Sequence, residues 1–167
     1  MAEMYRVRDS DVVQISNTDL EKIRVDCRIS RRRRARICVH RSDADLIHEM
    51  LIAILSDSYV RPHCHPFKTE SFHVIEGTLD VILFDDNGRV QQVVPMGDVR
   101  SSRQFYYRLA SPVFHTVLVH TELAIIHETT NGPFDPCETK FASWSPEEND
   151  HEAIREYMKD IREQVTR

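Results

Sequence analysis

The chain has 167 residues, 41% of them hydrophobic, which suffices for one domain with a real core and is short for two. A formal net charge of −5 argues against general affinity for nucleic acid or membranes, and no run of about 18 apolar residues offers a transmembrane span. The N-terminus does not lead into the apolar core of a signal peptide, and Cys27, Cys38, Cys64 and Cys137 include no Cys-x-x-Cys pair, so the expectation is a cytoplasmic protein with reduced thiols.

In chain order, Asn17 or Thr18 can cap a helix over Asp19 to Arg28, where Leu20, Ile23 and Cys27 recur at helical spacing. The basic cluster Arg31, Arg32, Arg33, Arg34 and Arg36 has no interleaved aromatics, so it reads as a solvated face paired with carboxylates rather than a nucleic-acid patch. Strands are expected at 37–40, 47–55, 59–65, 72–76, 78–84, 89–94, 105–109, 113–119 and 123–128. Between them, turns are expected at Asp57-Ser58, Gly77, Pro95 to Asp98 and His120 to Glu122. Asp85-Asp86-Asn87-Gly88 is a hairpin signal, because Asn-Gly supplies positive φ angles. Many short strands at regular spacing imply an all-β antiparallel sandwich or barrel. The tail differs: Ser145-Pro146-Glu147-Glu148 looks like a capped helix start, and Ala153, Ile154, Tyr157, Met158, Ile161 and Val165 form one apolar stripe for the barrel or a partner subunit.

The chemistry concentrates in Arg61 to Gly77. On an extended strand Arg61, His63 and His65 share one face while Pro62 and Cys64 take the other, and Pro66 permits a bend that returns Glu70 toward the imidazoles. Two imidazoles and a carboxylate suit a divalent transition metal, Fe, Mn, Ni, Cu or Zn, better than Mg or Ca. Arg61 on the ligand face is a candidate for holding an anionic group, with pairing to a structural acid as the alternative. His73 and Cys64 point away from the ligands by parity. Of the neighbours His127 and Glu128, only one can face the interior.

His63-x-His65-x4-Glu70-x6-Gly77 resembles the first motif of the cupin superfamily, and His115 stands where the second motif places its histidine. The blocks Tyr59 to Glu70, Leu83 to Gly88, Phe114-His115-Thr116 and Gly132 to Pro136 more narrowly resemble the WbuC-type cupin metalloproteins. Several blocks in one order are far more specific than one His-x-His. The sequence departs from the general pattern at Asp57, Pro112 and Val119, none of which removes a ligand.

The resemblance implies a jelly-roll barrel over residues 37–144, between an N-terminal extension with a short helix (1–36) and a C-terminal helix (145–167). It implies one metal held by His63, His65, Glu70 and His115, with Lys68 beside Arg61 as a candidate substrate-binding residue. Glu128, an acid just before the Gly-Pro-Phe block, is the candidate inward-facing proton carrier. The expected partner is a small molecule, anionic or sugar-derived, bound by a homodimer without nucleic acid or membrane. The implied setting is bacterial surface-polysaccharide (O-antigen) metabolism. Because the fold hosts both enzymes and binding modules, the reaction stays open between metal Lewis-acid catalysis and binding without turnover around a structural metal.

Overall fold

A computed structural model describes residues 4–6 and 12–165; the remainder of the expected N-terminal extension and of the tail lies outside the described residues. In chain order the elements are β1 (Met4–Arg6), α1 (Asn17–Ile29), β2 (Arg34–Cys38), β3 (Ile47–Leu55), β4 (His63–Cys64), β5 (Glu70–Glu76) and β6 (Thr78–Phe84). There follow β7 (Val90–Gly97), β8 (Tyr106–Leu109), β9 (Phe114–Val119), β10 (Leu123–Asn131), a 3-10 turn at Pro136–Glu138, β11 (Lys140–Phe141) and α2 (His151–Val165). The strands form two facing sheets, one ordered β1-β2-β3-β10-β5-β8 and the other β11-β4-β9-β6-β7. Ladders within the sheets are antiparallel except for β1 on β2. This is the expected all-β jelly roll with a helix at either end of the chain.

Strand alternation sorts the side chains into three layers. Between the sheets lie Ile54, Phe72, Val74, Leu79, Val81, Met96, Val119, Ala124 and Ile126. Outside the first sheet, Ala35, Ile37, Leu51, Ala53 and Ile125 pack under Leu20, Ile23 and Cys27 of α1. Outside the second, Cys64, Ile82, Phe84, Phe114 and Leu118 meet Ile161, with Tyr157, Met158 and Val165 of α2 packed against them. The stripe on α2 therefore covers the barrel's own sheet, and Cys64 faces that layer, away from the histidines flanking it.

Several boundaries differ from expectation for local reasons. The cap of α1 is Ser16, whose hydroxyl accepts from the Asp19 N–H while its own N–H donates to the Asp19 carboxylate at 2.8 Å. Helix α2 does not start at Ser145. The Ser145 hydroxyl is buried and donates to Ala142 O, Tyr59 Oη donates to Pro146 O, and the Asp150 carboxylate instead accepts from the Ala153 N–H. Strand β7 runs through Pro95, which the sequence assigned to a turn; β7 is a sheet edge, where a proline is tolerated. In the β6–β7 hairpin only Gly88 takes a positive φ, 83°, and the Asp85 carboxylate accepts from the N–H groups of Asn87 and Arg89. At Gly77 (φ 81°) a side chain would strike Leu123 O, so the β5–β6 turn requires glycine.

The arginine cluster splits. Arg32 and Arg34 both pair with Glu148, and the Arg33 Nε donates to the Asp57 carboxylate, as a solvated face would. Arg34 and Arg36, however, belong to strand β2, which starts before the expected Ile37 and ends at Cys38. They share the inner parity of Ile54 and Ile52, their partners on β3.

Candidate metal centre

Three strands, β4 and β9 of one sheet and β5 of the other, build the site with the loop that joins β4 to β5. His63 on β4 pairs in register with His115 on β9, which places both imidazoles on the inner face of the second sheet. His65 follows in the loop after β4, and Glu70 opens β5 on the opposing sheet, in register with Thr130. Pro66 and Phe67 form the exposed bend between them. One ligand atom from each of His63, His65, Glu70 and His115 lies within 4.8 Å of the other three. Donors across a single transition-metal ion stand about 4.2 Å apart at nitrogen–metal distances near 2.1 Å, so a small contraction would seat one ion.

Hydrogen bonding fixes which nitrogen faces inward. His63 Nδ1–H donates to Arg61 O at 2.8 Å and His115 Nδ1–H to Val113 O at 2.9 Å, leaving both Nε2 lone pairs directed at the centre. His65 Nδ1 lies 3.4 Å from Thr139 Oγ1, and its Nε2 is 3.5 Å from Glu70 Oε2. His115 Nε2 is buried and makes no hydrogen bond of acceptable geometry, although Glu70 Oε1 is 2.9 Å away. A lone pair facing a carboxylate oxygen is an arrangement of two acceptors, which a proton or a metal cation between them resolves. The residues therefore fit a transition-metal ion.

The electrostatics agree. Burial and then the His115 ring hold His63 down at about 3, so it remains a neutral ligand at any ordinary pH. Burial also lowers His65, against the pull of Glu70. Burial penalises the Glu70 carboxylate, yet the surrounding imidazoles, His115 first, bring it below the usual carboxylate range. His115 is lifted overall because Glu70 outweighs its burial. The pocket prefers positive charge between these two groups.

Glu128 pairs with Met50 on β3 and Phe72 on β5, and so has the inner parity; His127 faces outward and packs edge-on against His73. The Glu128 carboxyl is half-buried, and burial followed by the Glu70 charge raises it to about 7. Arg61 and Lys68 are not brought in the same way. The Arg61 guanidinium donates to Ser145 Oγ and Ala142 O and lies over the Phe141 ring. Lys68 Nζ donates to Pro133 O and pairs with Glu138 at 3.0 Å. Both cations tie the 133–147 segment to the ligand loop, and Arg61 serves His63 through its backbone carbonyl. Sequence parity missed the inward position of Arg36 and the buried hydroxyl of Tyr107, since a run of arginines conceals the alternation of β2. An open groove of about 890 Å³ lies elsewhere, along α2 beside Ser56, Ile154 and Met158.

Residues 15–96 match a family described as a domain of unknown function, DUF6016, a stretch that includes His63, His65 and Glu70. No curated protein matches the sequence. Among solved structures, a protein from Shewanella oneidensis superposes with a TM-score of 0.53 at 8% identity, over 64% of this chain and 72% of that one. CapF with the inhibitor 3-isopropenyl-tropolone gives 0.52 at 17% identity, over 68% of this chain and 33% of CapF. An oxalate oxidase in complex with the substrate analogue glycolate gives 0.50 at 12% identity, over 73% of this chain and 61% of the oxidase. The matched region thus spans less than two thirds of the oxidase and a third of CapF. At such identities the fold is what is shared, and it is the cupin jelly roll. Among the described residues no helix is long and apolar enough to cross a membrane.

Proposed function

We propose that the chain is a mononuclear transition-metal cupin that acts on a small molecule bound beside His63, His65, Glu70 and His115. The observation that carries this is the convergence of one ligand atom each from His63, His65, Glu70 and His115 to within 4.8 Å of one another. A bound metal would supply Lewis acidity toward a carbonyl or hydroxyl oxygen of the ligand. Glu128, poised between its acid and its base, accepts or returns a proton at the carboxyl oxygen facing the interior. Arg61 O and Val113 O hold their imidazoles in one tautomer. The narrower assignment, a cytoplasmic homodimeric WbuC-type protein in surface-polysaccharide or sugar metabolism, is supported by the sequence blocks quoted above.

Elemental analysis of protein prepared without a metal-affinity tag is expected to find about one transition-metal equivalent per chain, and His115→Ala to lower metal affinity at least about tenfold. A folded wild-type protein that takes up no metal on dialysis would overturn the proposal. Incubating the loaded protein with pooled nucleotide sugars and small acids separates turnover from binding, because a ligand recovered bound and unaltered identifies a binding module.

A further inference from the structure

Building on the metal-centred function proposed above, we infer that Arg36 is an anion anchor inside the barrel and that the ligand carries a terminal oxyanion, such as a carboxylate, at the end remote from the metal. Strand β2 reads Arg34-Ala35-Arg36-Ile37-Cys38, with Ala35 and Ile37 buried beneath α1 and both arginines on the inner face. Arg34 is already committed: it donates to Tyr59 O at 2.7 Å and pairs with Glu148 at 3.0 Å. Arg36 is not. It is half-buried; among the described residues its one side-chain hydrogen bond is Nη1 to Met50 Sδ at 3.6 Å, and Glu128 acts on it through charge without a hydrogen bond. A thioether is a weak acceptor, and a partly desolvated guanidinium with most of its N–H donors unmet calls for an oxyanion.

The Met50 contact also gives the side chain a direction. Met50 is the register partner of Glu128, one row nearer the metal than Arg36's own partner Ile52. The guanidinium therefore leans along the inner face toward Glu128 and the metal ligands. Strands β2, β3, β10 and β5 are consecutive neighbours, so about 14 Å of sheet separates Arg36's strand from Glu70's. An arginine side chain spans roughly 6 Å of that, leaving a gap that suits an extended molecule of five or six carbons. With a divalent ion in place, the positive charges of ion and Arg36 exceed the negative charges of Glu70 and Glu128, so the interior favours an anion. Oxygen donors at one end of the ligand would meet the metal, the oxyanion would meet Arg36, and Glu128 would lie beside the middle.

Calorimetric titration of the Mn(II)-loaded protein tests this with glutarate against valerate and adipate against hexanoate, pairs that differ by one carboxylate. The wild type is expected to bind each diacid at least about tenfold more tightly than its monoacid. Arg36→Gln is expected to erase that preference while retaining one metal equivalent, and Arg61→Gln to keep it. Should Arg36→Gln fail to fold, Arg36→Lys decides: a severalfold loss for diacids alone supports the anchor, and unchanged diacid affinity overturns it. A wild type without diacid preference, or an Arg36→Gln protein that keeps one, also overturns it. Metal-stripped protein separates the two proposals, because an Arg36-dependent diacid preference there would retain the anchor and refute the metal's part in holding the ligand.

Discussion

The space between the two sheets has two unlike ends. At one, Leu79, Val81, Met96, Val119 and Ala124 close the barrel with side chains that are almost wholly buried and entirely apolar. At the other, β9 and β10 carry His115 and Glu128 while β5 and β8 bring Glu70 and Tyr107, and among the described residues buried polar atoms of His48, Tyr107 and His115 have no hydrogen-bond partner. Unmet polar groups in a native interior cost stability unless something else meets them. The difference teaches that the apolar end stabilises the fold while the polar end leaves bonding capacity unused within the chain itself.

Truncating the apolar end should produce the largest effect. Leu79 is fully buried, pairs with Val119, and lies four residues along β6 from Leu83, the register partner of His115. Leu79→Ala is expected to cost about 2–5 kcal/mol by urea unfolding, with metal affinity of the folded fraction unchanged in a metal titration. A loss of affinity would show that the two ends are one mechanical unit, and the contrast between them would fail.

At the polar end the sign should reverse. In the metal-free protein Glu128 titrates near 7 when folded, against 4.5 for an ordinary glutamate. Between those values the folded chain holds a proton that the unfolded chain has released, so stability falls as pH rises through the window. The fall is about 2 kcal/mol after allowing for the solvent that reaches this half-buried group. Glu128→Gln removes the fall: the variant should match wild type near pH 4 and exceed it by about 2 kcal/mol at pH 8 in denaturant titrations. Bound metal should narrow the gap by drawing Glu128 back toward its ionised form. A variant less stable than wild type at pH 8 would place Glu128 in a stabilising network and make the polar end resemble a structural core.

How much of this was legible depended on whether the local pattern matched the tertiary surroundings. The strands Ile47–Leu55 and Thr78–Phe84 were found to the residue because apolar runs end there at turn residues. Parity alone left His127 and Glu128 as alternatives, the family resemblance chose Glu128, and the register gives it the inner face. The same parity argument applied to Arg61 concerned only the direction of its Cβ; a long side chain can turn back to Ser145 and Ala142, which no local pattern encodes. The start of α2 was misplaced because Ser145-Pro146 satisfies every local rule for a helix start, and tertiary burial of the Ser145 hydroxyl overrides them. Arg36 was hidden by composition: five arginines within six residues read as a surface, although β2 points alternate ones inward.

The smallest effect should come from Tyr107, at the edge of the polar end on the row of Phe72 and Glu128. Its ring lies tilted against that of Phe72 at 5.1 Å, while its buried hydroxyl has no partner among the described residues. Burial, and then the Glu70 carboxylate, push its ionisation above the ordinary phenol range, so it stays a neutral hydroxyl with a proton to donate. If that hydroxyl is unmet in the metal-free protein, Tyr107→Phe keeps the ring packing and removes a desolvated group. The variant should then be equal to wild type or more stable by up to about 1 kcal/mol in thermal unfolding. A loss of about 1 kcal/mol or more would mean that ordered water already satisfies the hydroxyl. The polar end would then be a hydrated network rather than a set of unmet groups, and its contrast with the apolar end would narrow to His115 and its carboxylate.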